Sequence, residues 1–159
     1  MEFCKPTSEH IRELMNWLTS AAEVLEWGGP DFRHPYTEVT FLEDIKLDTL
    51  DSLVMCSSEQ EMLAFGQFYQ REGRCHLGRL AISPQHRGQG LVRQLINNLL
   101  TAGIAKFGVS GGSLFVVPDN LAAIKAYQRY GFRFADYPGD SPIAGCLYMV
   151  IDNVAEIGK

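Results

Sequence analysis

With 159 residues the chain is the size of one domain, and its 46% apolar and 21% charged content is that of an ordinary soluble globular protein. A net charge of −5 with no basic run argues against a nucleic-acid partner. No apolar run approaches the roughly 20 residues that cross a bilayer, and Met1–Pro6 lacks a signal-peptide apolar core, so a cytoplasmic setting is expected.

The four cysteines (Cys4, Cys56, Cys75, Cys146) are scattered with no CxxC pair. They read as reduced thiols, and neither a disulfide frame nor a metal site is expected. Ile11, Leu14, Met15 and Leu18 recur at helical spacing, which predicts a first helix from about Ser8, capped by Thr7 or Ser8. Gly28-Gly29-Pro30 breaks the chain. Thr37 can cap a second helix carrying Val39, Phe41, Leu42, Ile45 and Leu50. Three strands come next as a meander, Ser52–Ser57, Met62–Gln70 and Cys75–Ser83, separated by turn-forming residues.

Gln85-His86-Arg87-Gly88-Gln89-Gly90 then leads into a helix from Leu91, with Leu95, Leu99 and Ile104 on one face. Strand, glycine loop and helix start, in that order, make an anion cradle. Glycines let backbone approach a ligand, and the first helical N–H groups point at it unpaired. Backbone N–H groups of Arg87, Gly88, Gln89, Gly90 and Leu91 can surround a pyrophosphate, helped by the helix dipole. The loop thus suggests a phosphate-bearing cofactor, although the same glycines also suit a plain strand-to-helix turn. Arg87 reaches a phosphate or stays solvated. After the helix, Ser113–Val117 reads as a short buried strand, Pro118-Asp119-Asn120 opens a helix that stops at Gly131, and Phe132–Tyr137 and Cys146–Ile151 close the chain as strands. The order ααβββαβαββ predicts a single α/β domain over residues 1–159, a mixed sheet with helices on both faces.

Two stretches carry a family resemblance. Gln85, Gly88 and Gly90 fit Q/R-x-x-G-x-G/A, and Asn120-x-x-Ala123-x-x-x-Tyr127-x-x-x-Gly131-Phe132 fits N-x-x-A-x-x-x-Y-x-x-x-G-F. In this element order the chain resembles the GNAT superfamily of acetyl-CoA-dependent N-acetyltransferases. The resemblance implies that the cradle holds the coenzyme A pyrophosphate, with Gln85 part of its motif. It also implies that main-chain groups of Leu80, Ala81 and Ile82 pair with the pantetheine arm, where a backbone N–H could serve the thioester oxyanion.

Acetyl transfer to an amine also needs a proton for the departing thiolate and a base for the amine. Asn120 and Tyr127 are two helical turns apart and share a face with Ala123 between them. A phenol (pKa near 10) is close enough to a thiol (about 8.5) to protonate it, and the resemblance gives Tyr127 that acid role. Asn120 bonds the cofactor, caps its helix, or does both. Many family members carry a glutamate where this chain has His76. An imidazole is a competent base near neutral pH, but a recruited water is the alternative. Cys75 beside it is a poor partner, because adjacent strand residues face opposite ways.

The resemblance places the acceptor pocket in Trp27–Tyr36 and Tyr137–Gly145. There Trp27, Phe32 and Tyr36 could hold an acceptor, Arg33 a carboxylate and Asp140 an ammonium group, each weighed against plain packing or solvation. The expectation is an acetyl-CoA-dependent enzyme without a metal, acting on a primary amine of a small molecule or peptide, with a second copy of the chain as the one protein partner to consider. The alternative is an acyl-CoA-binding regulatory module without catalysis.

Overall fold

The computed structural model describes residues 1–157. The elements are β1 (Glu2–Cys4), α1 (Ser8–Trp17), α2 (Ala21–Gly28), α3 (Glu38–Ile45), β2 (Asp51–Cys56), β3 (Met62–Arg71), β4 (Arg74–Ile82), α4 (Leu91–Phe107), β5 (Gly112–Val116), α5 (Leu121–Tyr130), β6 (Arg133–Ala135) and β7 (Leu147–Ile151), with 3₁₀ turns at Pro84–His86 and Val154–Glu156. The strands form one sheet in the order β1-β2-β3-β4-β5-β7-β6. β1/β2, β5/β7 and β6/β7 run antiparallel while β4/β5 run parallel, so the α/β fold with a mixed sheet is as expected.

Two elements lie outside the expected order. β1 is three residues long and offers no alternation to read; its pairing with β2 (Phe3↔Met55) is what makes it a strand. α2 carries a local signal, Ser20 with Glu23 three residues on, and Ser20 Oγ accepts the Glu23 N–H at 3.1 Å. α3 ends sooner than the apolar pattern to Leu50 suggests, because Lys46 turns left-handed at φ 53°.

Contacts group the chain into two units, residues 1–67 with 79–91 and residues 68–78 with 92–159. In the first, Thr7 and His10 cap α1 reciprocally: the Thr7 N–H donates to His10 Nδ1 and the His10 N–H to Thr7 Oγ1. Ile11, Leu14 and Trp17 of α1, Val24 of α2 and Phe41 and Ile45 of α3 then join Val54, Cys56 and Phe65 of the strands in one buried cluster.

In the second unit, the β3–β4 turn is Glu72-Gly73, both left-handed (φ 49° and 71°), the geometry of a tight hairpin. α4 lies close on β4 because Gly103 has no side chain: a Cβ there would overlap Cys75 Sγ and sit 3.1 Å from Phe68. α5 packs through Tyr130, whose hydroxyl donates to Asn97 Oδ1 of α4 at 3.2 Å, with the Arg93 guanidinium 5.3 Å over its ring.

Gly103→Val should therefore lower stability by about 2 kcal/mol or more, since neither Cys75 nor Phe68 has room to withdraw. Urea unfolding followed by circular dichroism measures it, and an unchanged midpoint would contradict the close packing described.

Candidate active site

Among the described residues β4 pairs with β5 only at Cys75↔Gly112, His76↔Ser113 and Leu77↔Leu114. Two residues further on, Arg79 adopts a left-handed backbone (φ 52°), rare for a residue with a Cβ and incompatible with a regular ladder. The turn is braced from several sides. Trp27 Nε1–H donates to the Arg79 carbonyl at 2.9 Å, and Arg79 Nη1 donates to Gln67 Oε1 at 3.1 Å and to the Ile45 carbonyl at 3.3 Å. The guanidinium also lies 5.3 Å over Phe32. Leu80, Ala81 and Ile82 continue the strand beyond this kink, half-buried. No sequence pattern announced an arginine in this conformation.

The chain then makes a 3₁₀ turn at Pro84–His86, passes an extended Arg87 (φ −68°, ψ 152°), and enters α4 through Gly88 (φ +78°) and Gly90 (φ +74°). Among the described residues nothing lies within 4 Å of a Cβ placed on either glycine, so it is the backbone conformation that calls for glycine here. Left-handed residues alternating with an ordinary one turn successive N–H groups toward one side, an anion-binding concavity. It opens directly onto the start of a 17-residue helix with no acidic residue in its first turn. Gln85, Arg87, Gly88, Gln89 and Gly90 are exposed and Leu91 is buried. The local structure thus fits a pyrophosphate. His86 is held in place: its Nδ1 is 3.1 Å from Ser83 Oγ and its Nε2 3.4 Å from Glu61.

The other expected site residues belong to the second unit. Asn120 caps α5, its Oδ1 accepting the Ala123 N–H at 3.2 Å. Tyr127 lies on that helix, half-buried, with its ring 6.2 Å from Phe132 in an edge-on arrangement. Tyr130, by contrast, is a core tyrosine, 3% exposed.

His76 is 1% exposed. Its Nδ1 is 2.8 Å from Ser113 Oγ on the neighbouring strand, and its ring lies between Tyr69 (5.1 Å) and Phe115 (4.9 Å). Burial, with the Arg71 guanidinium adding to it, pushes its pKa down to about 3. The imidazole is neutral at physiological pH but a weak proton acceptor, so this setting weighs against the expected base role. Cys75 points the other way, its Sγ 4.0 Å from the Leu99 carbonyl of α4, which disposes of a Cys–His pair.

Most of the residues considered for the acceptor are occupied within the fold. Phe32 is 5% exposed. Trp27, Phe32 and Tyr36 stack around Phe41, and the Tyr36 hydroxyl sits 2.6 Å and 2.7 Å from the carbonyls of Met15 and Leu18. Arg33 grips Asp44 through Nε and Nη2 and reaches Glu43 at 2.8 Å, so its charge is already paired. Asp140 is exposed. A hollow of about 550 Å³ remains in the first unit, lined by Val24, Leu25, Pro30, Phe32 and His34 among others. No helix among the described residues is long and apolar enough to cross a membrane.

Residues 12–132 match the model of the Acetyltransferase (GNAT) family, about three quarters of the sequence. The chain belongs to the GNAT family of acetyltransferases and is an acetyl-CoA-dependent N-acetyltransferase. Solved structures agree in fold. A spermidine N-acetyltransferase from Vibrio cholerae, in complex with CoA and spermine, superposes with a TM-score of 0.70 at 18% identity, covering 94% of both chains. The ribosomal-protein-S18-alanine N-acetyltransferase from Escherichia coli does so with a TM-score of 0.66 at 21% identity, covering 99% of this chain and 96% of the other.

The depressed pKa of His76 has a thermodynamic consequence. The folded state holds fewer protons than the unfolded one between about pH 6.5 and about 3, so stability should fall as pH drops through that window. The limiting slope from this residue is ~1.4 kcal/mol per pH unit. Urea midpoints measured from pH 7 to pH 4 should show a steeper acid loss in the parent than in His76→Gln; equal slopes would rule out a buried neutral imidazole.

Proposed function

We propose that this enzyme transfers the acetyl group of acetyl-CoA to a primary amine of a small molecule or peptide, by direct attack of the amine on the thioester. The observation that carries the reading is the paired left-handed backbone at Gly88 and Gly90 opening onto the start of α4. There the N–H groups of Arg87, Gly88, Gln89, Gly90 and Leu91 bind the pyrophosphate, and the dipole of α4 favours its charge. Gln85 and the Arg87 side chain border the same loop. Main-chain groups of Leu80, Ala81 and Ile82, beyond the last β4–β5 pair, take the pantetheine arm as an added strand takes its neighbour. One of their N–H groups donates to the thioester oxygen as charge builds on it.

Tyr127 holds a proton at its hydroxyl and passes it to the departing sulfur, and Asn120 orients the start of the helix that carries it. The amine gives up its proton to solvent through a water; His76, buried and bonded to Ser113, shapes the sheet instead of acting as the base. We read residues 1–159 as one N-acetyltransferase domain. The setting we propose is the cytoplasm, where thiols stay reduced. The acceptor is an amine such as a polyamine or a protein N-terminus, a reading supported by neighbours named for spermidine and for ribosomal-protein-S18 alanine.

Calorimetry with coenzyme A, and then acetyl transfer to spermidine and to a peptide beginning with alanine, tests this. Gly90→Ala forces a Cβ into a left-handed backbone and should weaken coenzyme A binding about tenfold, on the order of 1.4 kcal/mol. Tyr127→Phe should lower kcat by roughly 10²-fold while leaving coenzyme A affinity unchanged. Binding without turnover on a broad amine panel would instead identify a non-catalytic acyl-CoA-binding module, and absence of binding would end the cradle assignment.

A further inference from the structure

Cys4, His10 and Cys56 are too dispersed in sequence to suggest a common site, yet the first unit gathers them. The β1–β2 ladder pairs Cys4 with Val54 and Glu2 with Cys56, so Cys4, Val54 and Cys56 share one face of the sheet. Val54 and Cys56 are buried there against Ile11 and Leu14 of α1, whose first turn carries His10. His10 Nε2 lies 3.7 Å from Cys56 Sγ, and the three donor atoms all fall within 4.8 Å of one another.

Bond lengths of about 2.3 Å to sulfur and 2.0 Å to nitrogen put the ligands of a tetrahedral zinc ion roughly 3.5–3.8 Å apart. The Cys56–His10 edge already has that length, and the shift needed to complete the set can come from Cys4, which is exposed. We propose that Cys4, His10 and Cys56 bind a thiophilic divalent cation of the zinc type, with the fourth position open toward solvent. Two thiolates and an imidazole select against magnesium and calcium, which take oxygen ligands. Beside the site, a hollow of about 320 Å³ lined by Glu9, Glu13 and Glu61 as well as His10 gives the approach a negative potential.

The step balances simply. Each thiol loses its proton to solvent, two metal–sulfur bonds form, and the dication with its two thiolates carries no net charge. His10 makes the binding more than a clamp. Its Nδ1 accepts the Thr7 N–H at 3.1 Å, which leaves the ring proton on Nε2, facing Cys56. A cation at Nε2 requires that proton to move to Nδ1, so the Thr7 N–H loses its acceptor. Loading therefore joins β1, β2 and α1 at one point while releasing half of the α1 capping box. This inference is independent of the acetyl-transfer assignment.

The test uses the reduced, metal-free full chain titrated with Co²⁺ and then with Zn²⁺. Support is one Co²⁺ per chain with thiolate-to-cobalt charge-transfer absorption and the intense visible bands of a tetrahedral site, bleached by an equivalent of Zn²⁺. Zn²⁺ should also raise the melting temperature. Cys4→Ser, at an exposed position that leaves the fold intact by circular dichroism, should weaken Zn²⁺ binding by about 100-fold or more, whereas Cys146→Ser should not change it. The proposal is overturned if the reduced chain gives no such spectrum or if Cys4→Ser gives the same one. It is equally overturned if Cys4 and Cys56 merely close a disulfide in air and no Co²⁺ is bound.

Discussion

The Trp27 indole N–H, donated to the Arg79 carbonyl at 2.9 Å, helps to fix a turn that β4 would not make alone. A left-handed backbone at a residue with a side chain costs about 1–3 kcal/mol and persists only where its surroundings impose it. Here they do so from several directions: the indole on the carbonyl, Gln67 and Ile45 on the guanidinium, and Phe32 beneath it. Gln67 is itself 1% exposed and donates to the Ile45 carbonyl at 2.8 Å, so the brace is anchored in the core. Leu80–Ile82, the 3₁₀ turn and the glycine loop all lie downstream of this one kink and depend on it for their placement.

That dependence recasts the aromatic segment Trp27–Tyr36. Read from sequence, it resembles the wall of an acceptor pocket. In the fold its rings surround Phe41, its phenol bonds main-chain carbonyls of α1, and its arginine is neutralised by α3. Trp27 and Phe32 brace Arg79 and so hold β4 in shape. Side chains with both an apolar body and a polar tip suit this work, because they fill the core and still satisfy a carbonyl that has left its ladder.

Much of the architecture was legible because its signals are local. Periodicity found α1 and α4, the Pro118-Asp119-Asn120 start and the Gly131 stop bounded α5, glycines marked the loop before α4, and strand-like runs between turn residues found β2–β4. Ser20 and Glu23 would have revealed α2. β1 could not be read, since three residues carry no period and its identity rests on a partner about fifty positions away. The shape of the loop before α4 was readable because Gly88 and Gly90 announce its left-handed backbone. His76 was not, because an imidazole's basicity depends on its surroundings. The same side chain that would accept protons in water is weakly basic between Tyr69 and Phe115. The dispersed cysteines illustrate the same limit: spacing along a chain says nothing about donors that three separate elements bring to one place.

The two outermost strands, β1 and β6, are each three residues long and carry Glu2 and Arg133. A free strand edge is a template on which another molecule can add its own strand, and length and flatness are what make it attractive. Margins this brief, each bearing a charge, give an incoming strand few hydrogen bonds and an ionic group to bury. Such a sheet is a poor template for the strand-by-strand growth of fibrils.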